Sequence, residues 1–211
     1  MQPTELRPGA LPGPGSPAAH AALAVATEYC SPALLNHSVR SYRWAAAYAG
    51  QQGLEVDDEL LYVAAVLHDL GLVAPFDSHR ADFEHAGGHV AWVFAAGAGW
   101  PVPRRRRVAE VIVAHMADTV DPAVDPEGHA LEAATAFDIS GRDIGIPAEL
   151  RAEVLAAHPR AGLAAEFAGC FADQATRKPT SSAAAAVRAG IAQRIAANPL
   201  DREPPRRPDQ A

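Results

Sequence analysis

Nowhere along the 211 residues do apolar and polar residues alternate with period two for long enough to make a defensible strand. Apolar residues recur instead at three- and four-residue spacing, as in Val108, Val111, Ile112 and His115. Alanine is abundant, aromatics are few, and the apolar fraction is 49%. Small residues on helical faces let helices pack closely. The pattern predicts one all-α domain of about eight to ten helices, with no internal repeat and no linker dividing it.

Punctuation residues set the expected boundaries. Residues 1–16, rich in Pro and Gly, are expected to form a disordered arm. The domain should span 17–197, followed by a disordered tail over 198–211. Ser31-Pro32 reads as an N-cap with proline in the first turn, and Gly53 closes that helix. Asp57 or Asp58 caps the next, which should run to Leu70 with Gly71 as its stop signal. Further helices are expected over about 80–96, around 108–115, over 130–137 with Asp138 at its end, from Pro147, over 160–174 after the His158-Pro159 break, and over 181–197.

Charge and cysteine usage narrow the class. A net charge of −7 argues against nucleic acid or an anionic membrane surface as partner. The run Arg104 to Arg107 reads as a solvated helix face. Cys30 and Cys170 have neither zinc-finger spacing nor a disulfide framework, which suits reduced thiols in a cytosol. There is no basic segment leading into an apolar signal core, and no run long enough to span a bilayer. The expectation is a cytoplasmic protein acting on a small molecule, with a homodimer as the default assembly.

Chemistry concentrates in the stretch LLYVAAVLHDLGL, residues 60–72. It is an apolar helix ending in adjacent His68 and Asp69. A buried ion without a partner is costly, and a metal cation satisfies both side chains at once. Two more ligand-type residues lie on apolar segments elsewhere. His37 sits among Leu34, Leu35 and Val39, and Asp138 follows the Ala-rich segment ALEAATAF. Singly, each has an ordinary alternative: a helix end, a hydrogen-bonded core histidine, a turn cap. Together His37, His68, Asp69 and Asp138 supply two neutral nitrogens and two anionic oxygens. That set suits one divalent transition metal, zinc, iron or manganese, with positions left open for water.

The ordered set, together with SPALLNHSVRSYRWA (31–45), LLYVAAVLHDLGL (60–72), DFEHAGG (82–88), VAEVIVAHM (108–116), AFDISGRD (136–143) and LAAHPRAGLAAEFAGCFADQATRKP (155–179), resembles the HD-domain superfamily of metal-dependent hydrolases, in its cyanamide hydratase-like branch. The resemblance implies that His37, His68, Asp69 and Asp138 bind the metal, which would lower the pKa of a water for attack on an electrophile. In the cyanamide hydratases that electrophile is a nitrile carbon, and the product is urea. In other members it is the phosphorus of a nucleotide or phosphoester.

The expected catalytic set is Asp69, Glu84, His115 and Arg40, with Asn36 beside them. Arg40, one turn after His37, would orient a carboxylate or an anionic substrate, or else hold the fold. Glu84 would accept a proton or brace a ligand histidine. His115 would line the pocket. His85 and His89 depart from the related branch. With His115 they could complete a second metal site, as di-iron oxygenase chemistry needs. The less favoured status of that site rests on Phe83, which stands where the two-metal enzymes have a ligand histidine. A phosphohydrolase would instead need Arg40, Arg80, Arg142 and Lys178 to converge on the metal.

Overall fold

The computed structural model describes residues 13–202, and every element among them is helical. The ten α-helices are α1 (Pro17–Tyr29), α2 (Pro32–Gln52), α3 (Asp58–Leu67), α4 (Phe83–Gly97), α5 (Val102–Ala114), α6 (Pro126–Ser140), α7 (Ala148–Ala157), α8 (Leu163–Arg177), α9 (Ser182–Arg188) and α10 (Ile191–Ala196). Two short 3-10 turns, Leu70–Leu72 and Pro199–Asp201, complete the described chain. No helix among these residues is long and apolar enough to cross a membrane.

The helix starts follow capping chemistry. The Ser31 hydroxyl accepts from the Leu34 amide at 3.1 Å, with Pro32 in the first turn. Asp57, rather than Asp58, caps α3 through the Leu60 amide at 3.0 Å. Gly53 and Gly141 end α2 and α6 in the left-handed conformation.

α3 is the axis of the fold. Leu60 to Leu67 are all buried, so the helix is apolar on every side and is wrapped by α1, α2, α4, α5 and α6. A second apolar cluster joins Leu34, Phe83, Ile139 and Leu163 to Phe167, Phe171, Ile191 and Ile195, and gathers α8, α9 and α10. The ligand-type residues lie at the seam between these two clusters.

Several boundaries differ from expectation, each for a physical reason. α3 stops at Leu67, which places His68 and Asp69 in the turn that follows. Gly71 does not end it by a left-handed backbone. A Cβ at Gly71 would lie 1.9 Å from the Phe83 carbonyl oxygen, and one at Gly87 would lie 2.7 Å from the His68 carbonyl oxygen. The two glycines let this turn lie directly on the backbone of α4. α6 begins at Pro126, capped by Asp125, so Asp138 is inside the helix rather than at a turn. The final helix is split at Gly190, whose φ is +78°.

The fold also continues past 197. Leu200 is buried, Asn198 donates to the Asp138 carbonyl at 2.8 Å, and Asp201 pairs with Arg160. The expected arm at 1–12 and the tail at 203–211 lie outside the described residues. The arginine run is tied to acids: Arg104 to Asp57 and Glu59, Arg107 to Asp125 and Glu127. These pairs stitch α5 to its neighbours.

Candidate metal centre

Three side chains converge where α2 meets the turn after α3. His37 Nε2 lies 3.2 Å from His68 Nε2 and 3.3 Å from Asp69 Oδ2, and His68 Nε2 lies 3.1 Å from the same oxygen. All three residues are buried. Their spacing has a simple reading. Metal bonds of about 2.0–2.1 Å set neighbouring ligand atoms about 2.9 Å apart at right angles and about 3.4 Å apart at tetrahedral angles.

The hydrogen bonds fix which atoms carry lone pairs. His68 Nδ1 donates to the Ala65 carbonyl at 2.7 Å. His37 Nδ1 donates to Asp138 Oδ2 at 2.7 Å. In the neutral rings both Nε2 atoms are therefore acceptors, and they face each other and an anionic oxygen. Neither oxygen of Asp69 has a hydrogen-bond partner. A buried, unpartnered carboxylate is among the costliest groups a fold can hold. A cation satisfies all three acceptors together, so the residues fit a metal.

The local electrostatics agree. Burial alone would lower the His37 pKa, but the hydrogen bond to Asp138 and the nearby Asp69 carboxylate outweigh this and raise it. Burial works to raise the Asp69 pKa, yet the His68 and His37 rings beside it hold the carboxyl far below its usual range. Asp69 is an anion in a site that favours positive charge.

Asp138 stands apart from the three converging atoms. Its Oδ1 accepts from Arg40 Nε and Trp44 Nε1, both at 2.8 Å. Its Oδ2 accepts from Arg40 Nη2 and His37 Nδ1, both at 2.7 Å. With two donors on each oxygen, no lone pair is turned toward the three converging atoms. Asp138 stands behind the His37 ring and holds it. The arrangement follows from its place on α6, which packs along α2. Arg40 is equally committed: its Nη1 donates to the carbonyls of His158 and Pro159. It is wholly buried, and it braces the site rather than facing a substrate.

Of the remaining candidates, His115 is brought to the site. It ends α5 with Nε2 4.0 Å from Asp69 Oδ1, its ring against His68, and its Nδ1 on the Ile112 carbonyl. Burial and the neighbouring His68 push its pKa down to about 3. Glu84 is not brought there. It is buried at the start of α4, where its Oε2 accepts from the Ser182 hydroxyl at 2.9 Å and so ties α4 to α9. Asn36 donates to the Pro159 carbonyl at 2.9 Å. His85 and His89 are exposed on α4 and do not join His115. Burial pushes the Cys30 thiol up to about 12 and the Cys170 thiol up to about 11, so both are protonated and neither is a nucleophile.

His37, His68 and His115 form the base of a cavity of about 510 Å³. Its walls come from the chain after α5, from α6, and from α8 to α10. Sequence reasoning missed Phe167 and Phe171 here. Their four-residue spacing on an amphipathic helix was the available signal. It also missed Trp44, whose indole N–H completes the cradle of Asp138.

The family model described as HD domain matches residues 34–146, more than half of the chain and all of the residues that build the centre. Among curated proteins none matches the chain.

Proposed function

Because this chain belongs to the HD-domain family, we propose that it is a metal-dependent hydrolase or hydratase that turns water against a small-molecule electrophile. The observation that carries the reading is the orphaned Asp69 carboxylate beside two inward-facing imidazole lone pairs at a cavity base. A divalent metal held by His37, His68 and Asp69 supplies Lewis acidity and lowers the pKa of water.

The chain's own residues divide the remaining work. The Ala65 carbonyl sets the His68 tautomer, and Asp138 sets that of His37, so both Nε2 atoms stay available. Arg40 and Trp44 hold Asp138 in place. His115 keeps a lone pair on Nε2 at the cavity wall, where it can accept a hydrogen bond from an entering water.

A carbon electrophile such as a nitrile, as in the cyanamide hydratase-like branch, suits this cavity better than a phosphate. The four basic residues that a phosphohydrolase would need do not meet. Arg40 is spent on Asp138. Lys178 is spent on Asp77 and on the carbonyls of Ser78 and Ala81. Arg142 is held by Glu132 through two bonds of 2.7 Å, and Arg80 is exposed away from the cavity lining. Phosphate recognition draws on free guanidinium or ammonium groups. The di-iron alternative lacks support from His85 and His89, which are exposed.

The test pairs metal analysis with a substrate panel. Purified protein should carry one zinc, iron or manganese per chain and should release urea from cyanamide or ammonia from a nitrile or amide. Two metals per chain, or phosphate release from nucleotides with no reaction at carbon, would overturn the reading.

A further inference from the structure

Six buried rings close a cycle, and five of them line the cavity. His37 meets His68 with centroids 5.1 Å apart, and His68 meets His115 at 4.8 Å. His115 meets Phe83 at 5.6 Å, and Phe83 meets Phe171 at 5.5 Å. Phe171 stacks on Phe167 at 4.8 Å, and Phe167 returns to His37 at 5.6 Å. Half of the cycle is imidazole and includes the two metal-fitting nitrogens, of His37 and His68. The other half is phenyl, and Phe167 and Phe171 face the cavity together with Ile139, Ile191 and Met116.

Size and charge restrict what this space accepts. At about 30 Å³ per water, the cavity of about 510 Å³ has room for on the order of seventeen waters. A three-atom nitrile would leave most of that space filled with water. Ligand pockets for larger organic molecules run from about 300 to 1,000 Å³. The charged lining is balanced, with Asp118 and Glu132 against Arg142 and Arg194. The negative faces of the phenyl rings add no affinity for a polyanion.

Resting on the metal-hydrolase reading above, we propose that the substrate carries its electrophile on an apolar, ring-sized body that lies against Phe167 and Phe171 while the electrophile reaches the histidines. Phe167 and Phe171 on α8 and Ile191 on α10 fall outside the family-matched segment 34–146. This wall would set substrate choice separately from the metal chemistry.

The experiment is isothermal titration calorimetry with benzamide, acetamide and adenosine monophosphate, on metal-loaded protein and on the Asp69→Asn variant. Burying a phenyl group should make benzamide bind at least tenfold more tightly than acetamide. The preference should persist in Asp69→Asn, because the wall does not need the metal. Ala186→Phe, which fills the cavity from α9, should erase the preference and leave acetamide binding unchanged. Phe171→Leu keeps an apolar side chain in place and should cut the preference several-fold. Equal affinities, no detectable benzamide binding, or tightest binding of the nucleotide would overturn the proposal. If the preference holds but no metal binds, the hydrolase reading fails and the apolar site stands. If metal and hydrolysis are present without the preference, this proposal alone fails.

Discussion

Asp138→Asn separates a brace from a ligand. The change is nearly isosteric, but it removes the charge opposite Arg40 and replaces one accepting oxygen by a donating NH2. In the native protein each carboxylate oxygen accepts two hydrogen bonds, from Arg40 and Trp44 on one side and from Arg40 and His37 on the other. An amide oxygen can serve only one of these pairs, so the NH2 must face two donors. Arg40 would stay buried with no carboxylate opposite it, only one neutral amide oxygen and the carbonyls of His158 and Pro159. Removing one partner of a buried ion pair costs about 3–5 kcal/mol. That is a large share of a total stability of about 5–15 kcal/mol. At roughly 2–4 °C per kcal/mol for a domain of this size, Tm should fall by roughly 6–20 °C. The loss should appear in chelator-stripped protein, because it does not pass through the metal. Zinc affinity should drop about 10–100-fold, as for the loss of a group that orients a ligand, and should not vanish. Urea denaturation of stripped protein and a zinc titration measure the two quantities. If stripped Asp138→Asn were as stable as the native chain while zinc binding was abolished, Asp138 would be a direct ligand and the bracing argument would be wrong.

Three other outcomes follow from the same geometry. Saturating zinc at one hundred times its Kd should stabilise stripped protein by about 2.7 kcal/mol, roughly 5–10 °C in a melting scan, and Asp69→Asn should remove most of that shift. Gly71→Ala would drive a methyl group into the backbone of α4. It should cost about 3 kcal/mol or more and weaken zinc binding, because the displaced turn carries His68 and Asp69; a variant of native stability in urea would contradict the close-packing account. Because the folded-state pKa of His115 lies well below the unfolded value, the unfolded chain binds the extra proton as pH falls from about 6.5 toward about 3. Stripped protein should therefore lose stability over that window, by about 1.4 kcal/mol per pH unit from this residue, and His115→Leu should show a shallower slope between pH 6 and 4.

The sequence by itself determined the helical class, the main helix starts, and which ligand-type residues sit on apolar segments. Capping by Ser31-Pro32 and Asp57 is local, and periodicity reports which face of a helix is apolar, so these were legible one segment at a time. The pairing of His68 and Asp69 at the close of an all-apolar helix, with His37 on a second, was legible for a related reason: polar ligand types on apolar faces need a common partner. Only the tertiary structure decided what each residue faces. Asp138 and Arg40 have the chemistry of a ligand and a substrate anchor, yet the packing of α6 along α2 turns them toward each other and toward His37. Glu84 has the chemistry of a proton acceptor and is turned to Ser182. Gly71 looked like a helix stop and proved to be a point where two backbones touch. Phe167 and Phe171 read as ordinary core residues until α8 was placed over the histidines. Hydrogen-bond direction and distance between helices about a hundred residues apart in the chain are set by packing, and no one-dimensional pattern records them.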